Sequence, residues 1–555
     1  MPVALPHQQG AELIWLLSLE IGGTTFYLST QVVNLARDDG TVISYQAGLT
    51  EPDYSESLAR FSHTVDDMST ALEVVIPGIN LAQHRRKGFH LQRATGELSC
   101  ITAIGGTLQQ THEGRFVHVV GRVSEPTYGY PDAPVGYMTF TLDGRPGADS
   151  EPFHSATMSI AGERISTVVT DDDHEGKPYP LVIGQPGAFV NAAGTSRTTS
   201  GSPGYIIDKD TASPPMVDTL VCAGHHIEAT TVTVFAGSPA TSYVFNVANT
   251  FDGIGQPIAT LDLRTDSSST SMGSGARSEW RSGNEEFWCC WNTGKTASNP
   301  LTGGSINGAG DLLIWALDQT PYEVDQGAWQ AARDWLNHYQ FSGYINDPGT
   351  TVWDWITTIA ETIPPLTIRA GTQGIYPIIH DIHMLNAEAE TVFVGPDFYR
   401  VGPIQVHGTP DEIRNTITLE WALRARTGDY KQTSTVGTFD DDTSTTFATI
   451  YSTSSISRFG IRAEAITSSW IYDRATAHRV LSDLVRLKGG LAESVQYQAG
   501  VLHSHLMLGD VIKVTDEAVG FSDQLLTGMG KSWTGTGWTL DLLIEDDLAR
   551  DTRPI

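Results

Sequence analysis

The chain has 555 residues, 40% of them hydrophobic and 18% charged, which excludes a disordered protein and is enough for about three to five domains. Lys and Arg total 34 against 64 Asp and Glu, a formal net charge of −30. A surface of that sign repels phosphate and anionic lipid, which argues against a duplex-DNA reader.

The first ten residues lack the basic n-region of a signal peptide, and the apolar run Leu13–Leu19 is closed by Glu20. No stretch reaches the ~18 apolar residues of a spanning helix, so neither a secretory leader nor a membrane anchor is expected. With 55 glycines and abundant Ser, Thr and Val, strands and tight turns are favoured over long helices. Residues 13–21 and 24–28 flank Gly22-Gly23 and predict a hairpin. Further strands are expected at 72–77, 115–121 and 137–142, with a short basic helix over 81–88.

From about 150 to 270 the text is again strand and turn, with strands at 178–184, 231–235 and 243–247 and a polar break over 267–275. Helical spacing then appears at 329–339 and 351–362, the second with Trp353, Ile356, Ile359 and Ala360 on one face and Thr350 or Thr351 as N-cap. Strands at 366–369 and 391–394 follow. The stripe Ala477, Val480, Leu481, Leu484 and Leu487 predicts a helix over 473–488, capped by Gly489 and packed on the closing strands at 494–499, 511–514, 525–529 and 539–544.

No constellation carries defensible catalysis. No serine sits in a G-x-S-x-G elbow, and no G-x-G-x-x-G follows a strand. Gly294-Lys295-Thr296 has Cys289 where a phosphate loop needs glycine. Asp171–Gly176 has the acidic spacing of a calcium loop, but Val182 stands at position twelve, so a solvated turn is the plainer reading. His503 and His505 would share one face of a strand, and His380 with His383 one helical face, without a third ligand for either pair. Cys289 and Cys290 would alternate faces of a strand as packed thiols. Asp440-Asp441-Asp442 reads as a solvated loop, and Trp353 as core rather than a sugar platform; among 64 acids no glycosidase pair can be singled out.

The carboxyl-terminal third carries a resemblance. Arg414-Asn415 followed by an alternating strand to Trp421, Tyr472-Asp473 leading a helix that ends at Gly489-Gly490, Leu508-Gly509-Asp510 before a strand, Leu526-Thr527-Gly528, and a last strand from Trp538 together resemble the hub proteins of phage tails. Leu19–Tyr27 is similar to the opening of hub proteins in long-tailed phages and gene transfer agents. The resemblance implies a mainly β, multi-domain chain with two related tail-tube-like β-barrel or sandwich domains and a small α/β module. It divides the chain into an N-terminal hub domain (1–150), a β-rich middle (151–325), the module (326–410) and a C-terminal hub domain with one helix (411–555). It further implies a structural virion protein at the tail tip, made in the host cytoplasm. Its partners would be a tube or distal tail protein, a central spike or fibre and the tape measure. It would be a homotrimer around a channel through which genomic DNA passes without specific binding. Neither enzymatic activity nor a cofactor is expected. Some relatives hold an iron–sulfur cluster on four cysteines, but the spacing of Cys100, Cys222, Cys289 and Cys290 does not match such a set. The competing reading is a β-rich tail protein that binds or hydrolyses carbohydrate.

Overall fold

The computed structural model describes residues 11–21, 23–58, 69–75, 94–129, 137–143, 177–191, 194–209, 217–228, 231–236, 241–252, 255, 257–264, 287–291, 306, 308–320, 324–347, 349–371, 374–380, 389–407, 411–436 and 452–544. The helix expected over 81–88, the acidic turn Asp171–Gly176, the break at 267–275, Gly294–Thr296, His383 and Asp440–Asp442 lie outside the described residues. The architecture is mainly β, in several sheets, with one helical region.

Strands β1 (Ala11–Ile21), β2 (Thr24–Ser29), β3 (Val33–Ala36), β4 (Val42–Ala47), β6 (Ser69–Val75), β7 (Thr95–Ile104), β8 (Thr107–Leu108), β9 (Phe116–Gly129) and β10 (Tyr137–Asp143) form one sheet. Its order is β3-β4-β2-β1-β7-β9-β10-β6, with β8 paired to β7. The sheet closes on itself just beyond β4. Leu49 bridges Val74, the Val75 amide donates to the Gly48 carbonyl at 2.6 Å, and the Thr50 amide donates to Glu73 at 2.9 Å. Closure brings the Val75 carbonyl so near that a Cβ on Gly48 would lie 2.3 Å from it. Only glycine fits. The strand β5 (Ser55–Ser57) leaves this sheet altogether.

The middle of the chain contributes β11 (Leu181–Ile183), the ribbon of β12 (Ala188–Val190) and β13 (Ser196–Thr198), and a seven-stranded sheet. That sheet comprises β14 (Ser202–Lys209), β15 (Val217–Ala223), β16 (Thr231–Ala236), β17 (Thr241–Asn246), β18 (Ala248–Phe251), β19 (Pro257–Arg264) and β20 (Phe287–Trp291). Its order is β17-β16-β20-β14-β15-β19-β18.

Helices α1 (Ala309–Leu317), α2 (Gln326–Leu336) and α3 (Val352–Glu361) follow, with β21 (Gly343–Ile345) pairing back to β11 and the hairpin of β22 (Leu366–Gly371) and β23 (Gly374–Ile379). The α3 start is a capping box: Thr351 accepts from the Asp354 amide at 3.0 Å, and Asp354 reaches back to the Thr351 amide. Trp355 is buried in the core with Ile356, Ile359 and Ala360, and the half-buried Trp353 packs against the same core. Helix α1 was not expected from the sequence, because it is buried almost all round and its N-cap Gly308 provides no side-chain bond. Its glycines let it approach α2: a Cβ on Gly310 would meet the Arg333 carbonyl at 2.5 Å. The buried Asp311 carboxylate then takes Arg333 at 2.6 Å and Asn337 at 2.9 Å from α2.

Strands β24 (Glu390–Phe393), β25 (Phe398–Arg400) and β26 (Gln405–His407) precede a three-stranded sheet of β27 (Thr416–Arg424), β28 (Asp429–Thr435) and β29 (Ala463–Thr467), with a two-turn helix over 452–459. Helix α4 (Arg474–Lys488) starts at Asp473, whose carboxylate accepts from the Thr476 amide at 2.7 Å. One departure from expectation concerns its docking. Its buried Ala477, Val480, Leu481, Leu484 and Val485 join the core of α1–α3 and rest on β27 and β28, not on the closing strands. Those strands are already saturated by the N-terminal sheet.

They are β30 (Ala492–Ala499), β31 (Val511–Asp516), β32 (Phe521–Trp533) and β33 (Trp538–Ile544), ordered β24-β31-β32-β33-β30-β25 with β26 on β30 and β5 on β32. The Leu508-Gly509-Asp510 turn enters β31 with Gly509 at φ +87, where a Cβ would strike Ile378 at 2.6 Å. Asp510 stabilises it by accepting from the Met507 amide at 2.7 Å.

Two substitutions test these packings. Gly48→Ala should lower stability by about 1–3 kcal/mol through strain at the seam of the N-terminal sheet; a melting temperature equal to the parent's would refute the closure. Leu484→Asp should cost several kcal/mol by burying an unpaired carboxylate among α1–α3 and β27, to be read by urea unfolding.

Candidate functional site

A dense set of titratable and aromatic groups lies where the N-terminal sheet meets the C-terminal one. Strand β5 pairs antiparallel with β32, setting Ser57, Glu56 and Ser55 opposite Gly530, Lys531 and Ser532. Glu56 then reaches Arg369 of β22 at 2.7 Å, with the Arg369 side chain only 2% exposed. Three regions of chain thus meet on one ion pair.

Beside it, four rings pack around Trp15. Tyr54, His118, Trp533 and Trp538 lie with centroids 5.6, 5.2, 6.4 and 5.9 Å from the Trp15 ring. Trp538 donates to the Ser504 hydroxyl at 2.9 Å, and Trp533 to Glu51 at 2.6 Å. The buried Lys531 ammonium donates to the carbonyls of Ser504 at 2.8 Å and Leu506 at 2.6 Å, and lies 4.2 Å above the Trp538 ring. Burial pulls its pKa down. Two carbonyl dipoles and a π face stand in for its hydration.

His118 reaches this seam through a bulge. Between Leu98 and Ser99 of β7 the partner on β9 steps from Val119 to Val117, so His118 is the extra residue and its ring turns inward. Its Nε2 lies 3.2 Å from the Cys100 sulfur. The spacing is that of a nucleophile and its base, but the electrostatics are the reverse of an activated pair. Burial pushes the Cys100 thiol up to about 12. Burial, then Lys531, holds His118 well below its ordinary value. Both are neutral near pH 7. A reactive cysteine needs a stabilised thiolate and access, and this pair has neither.

The other sequence candidates fall elsewhere. Cys289 and Cys290 do sit on one strand, β20, and both are buried. Cys222 shares the core of Cys289, whereas Cys100 lies in the N-terminal sheet. Among the described residues no three His, Cys, Asp or Glu side chains are grouped to hold a metal. His503 and His505 are not on a strand: Val501–His503 is a 3-10 turn after Gly500, where the chain must reverse between β30 and β31. Each has its own acid, Asp397 at 3.8 Å and Glu390 at 2.8 Å. His380 meets the Thr367 hydroxyl at 3.1 Å. Asn415 of the Arg-Asn pair is fully buried and joins Ser455, the Gly460 carbonyl and the Arg462 amide at 3.0, 2.9 and 2.8 Å, a structural clasp. Sequence reasoning missed His118 and Lys531, because neither a bulge nor a charge buried by a distant strand leaves a local periodic signal.

Two clefts remain. One of about 890 Å3 lies between β11–β13 and the helices, lined by Phe189, Arg197, Glu228, Leu312, Phe341 and Asp473 among others. The second, of about 420 Å3, lies at the start of α3.

The depressed His118 pKa has a definite sign. The unfolded histidine takes a proton as pH falls through about 6.5 while the folded one resists, so the stability this group contributes is present above that pH and is lost below it. His118→Gln should therefore cost about 1–2 kcal/mol near neutrality through lost packing, with the gap to the parent shrinking by about pH 5 in paired thermal melts. Parallel melting curves across that range would show that His118 is not held neutral.

No protein-family profile matches the chain, and no curated protein does. Among solved structures it is similar to the tail protein from Neisseria meningitidis MC58, at 10% identity over 97% of this chain and 99% of that one, TM-score 0.35. It is also similar to the 43 kDa tail protein of prophage MuSo2 from Shewanella oneidensis, at 9% identity over 96% and 98%, TM-score 0.32. A third likeness is to prophage tail protein gp18 from Listeria monocytogenes EGD-e, at 7% identity over 66% and 94%, TM-score 0.22.

Proposed function

We propose that this protein is a structural component of a bacteriophage tail, and within it the baseplate hub that joins the tail tube to a central spike or fibre around the DNA channel. The observation that carries the reading is the union of the two terminal β units: β5 lies in the C-terminal sheet, and one continuous core runs from Trp15 to Trp538. A hub must present two sheet units at a fixed angle under load, and a shared core with an exchanged strand does that without a hinge. The order of motifs from Arg414 to Trp538 supports the same reading.

The chain is read as an N-terminal β unit over 1–150, a β-rich middle over 151–325, an α/β module over 326–410 whose core also takes α1 at 309–317, and a C-terminal β unit over 411–555. The module's core also draws on 417–436 and 471–485, on either side of which the chain serves the C-terminal sheet. Its partners are a tube or distal tail protein, the spike or fibre and the tape measure, and its place is the tail tip of the virion. Cyclic closure of identical copies is the economical way to build an annulus, here a homotrimer. The charge of −30 per chain suits a lumen that lets DNA slide, since a basic wall would release counterions and hold it. The sealed, neutral Cys100–His118 pair supports a non-enzymatic role. Among the described residues no helix is long and apolar enough to cross a membrane.

Native mass spectrometry of the purified full chain should show a trimer. A monomer at all concentrations, or a trimeric reconstruction whose central channel is lined by Lys and Arg, would refute the hub.

A further inference from the structure

We propose that the cleft at the start of α3 is a binding site for a neutral saccharide. The cleft encloses about 420 Å3, the volume of a one- or two-sugar ligand rather than a polymer, and it combines half-buried aromatic rings with oxygen acceptors. Its aromatic element is Trp470. A Cβ on Gly343 would lie 2.4 Å from the ring carbons of Trp470, so the indole lies directly on a backbone that only glycine leaves open. Trp355 meets it edge-on, with centroids 5.8 Å apart at 76°. Trp355 is itself buried and acts as a buttress. Trp470 and the neighbouring Tyr344 keep partial exposure toward the cleft. Rings fixed in this way offer an apolar face at little entropic cost.

The polar groups are acceptors held in place. One oxygen of Asp347 accepts from the Gly349 amide at 2.8 Å, and one of Asp354 from the Thr351 amide at 3.4 Å, which orients each carboxylate and leaves its second oxygen available. Asn346 donates to the Tyr205 hydroxyl at 3.2 Å, fixing its carboxamide. A ligand that matches carries several hydroxyl donors around an apolar ring face. A pyranose is such a ligand. Two carboxylates at the rim repel a uronic or sialic acid, which narrows the class to neutral sugars. The site does not depend on the hub reading, since it lies on the helical region away from the joined terminal sheets.

The test is a titration of the full chain with maltose and with chitobiose, read by tryptophan fluorescence and by saturation-transfer NMR, with a glucuronic-acid disaccharide as control. The expected result is saturable binding of at least one neutral oligosaccharide, weaker or absent for the anionic one. Trp470→Ala should weaken binding about tenfold. Should that variant fold poorly, Asp347→Asn keeps the turn to Gly349 and should weaken binding about fivefold with an unchanged melting temperature. No saturable signal for either sugar, equal affinity for the anionic control, or binding unaffected by Asp347→Asn would overturn the proposal. Binding that collapses as salt is raised would also overturn it, by showing an electrostatic ligand instead.

Discussion

The pairing of β5 with β32 is the constraint on which the rest of the structure depends. Three residues from near the start of the chain, Ser55–Ser57, fill a place in a sheet whose other strands lie between residues 390 and 544. Once Glu56 is fixed opposite Lys531, its carboxylate can neutralise Arg369, which is otherwise a buried cation on the β22–β23 hairpin. The same strand carries Tyr54 into the ring cluster around Trp15 and leads Leu58 onto Ile378 and Leu508. Removing one member of a buried pair leaves the other uncompensated, at about 3–5 kcal/mol. The ion pair thus fixes the relative placement of three regions more than it adds to net stability.

Desolvation explains why a chain with seemingly reactive groups presents no activated one at this seam. Lys531, Cys100 and His118 are each shifted toward the neutral form by burial. Lys531 is met by carbonyls and an indole face, Cys100 by an imidazole. These are the partners of groups that need satisfying in a dry interface.

Much of the local structure was legible because it follows from period and capping. The alternation in Tyr137–Asp143, the Thr351 cap, and the apolar stripe of α4 are all nearest-neighbour signals. What was not legible is long-range. Helix α1 has no polar face to reveal its period and no capping side chain. The docking of α4 on β27 depends on which surface the N-terminal sheet leaves free. At the site, the aromatic and acidic residues of the α3 cleft were visible as types, but Trp355 and Trp470 are 115 positions apart by their numbers and are brought together only by the fold. His118 turns inward through a one-residue slip that no pattern announces.

The contact between Trp533 and Glu51 spans 482 residues of sequence, and its consequence concerns synthesis. The N-terminal barrel can close through Gly48 as soon as residue 143 has emerged, yet the face that will receive β32 stays open until the last strands are made. At ribosomal rates of about 5–20 residues per second that wait is roughly 20–80 s. Throughout it, Trp15, Tyr54 and the strand at 55–57 lack their final cover. A nascent chain in this state carries an exposed aromatic face and an unpaired edge, the two features that draw chaperones and promote aggregation. The contact that joins the two terminal sheets is thus the last to form, and it makes the ribosome-bound chain the vulnerable stage of this protein's life.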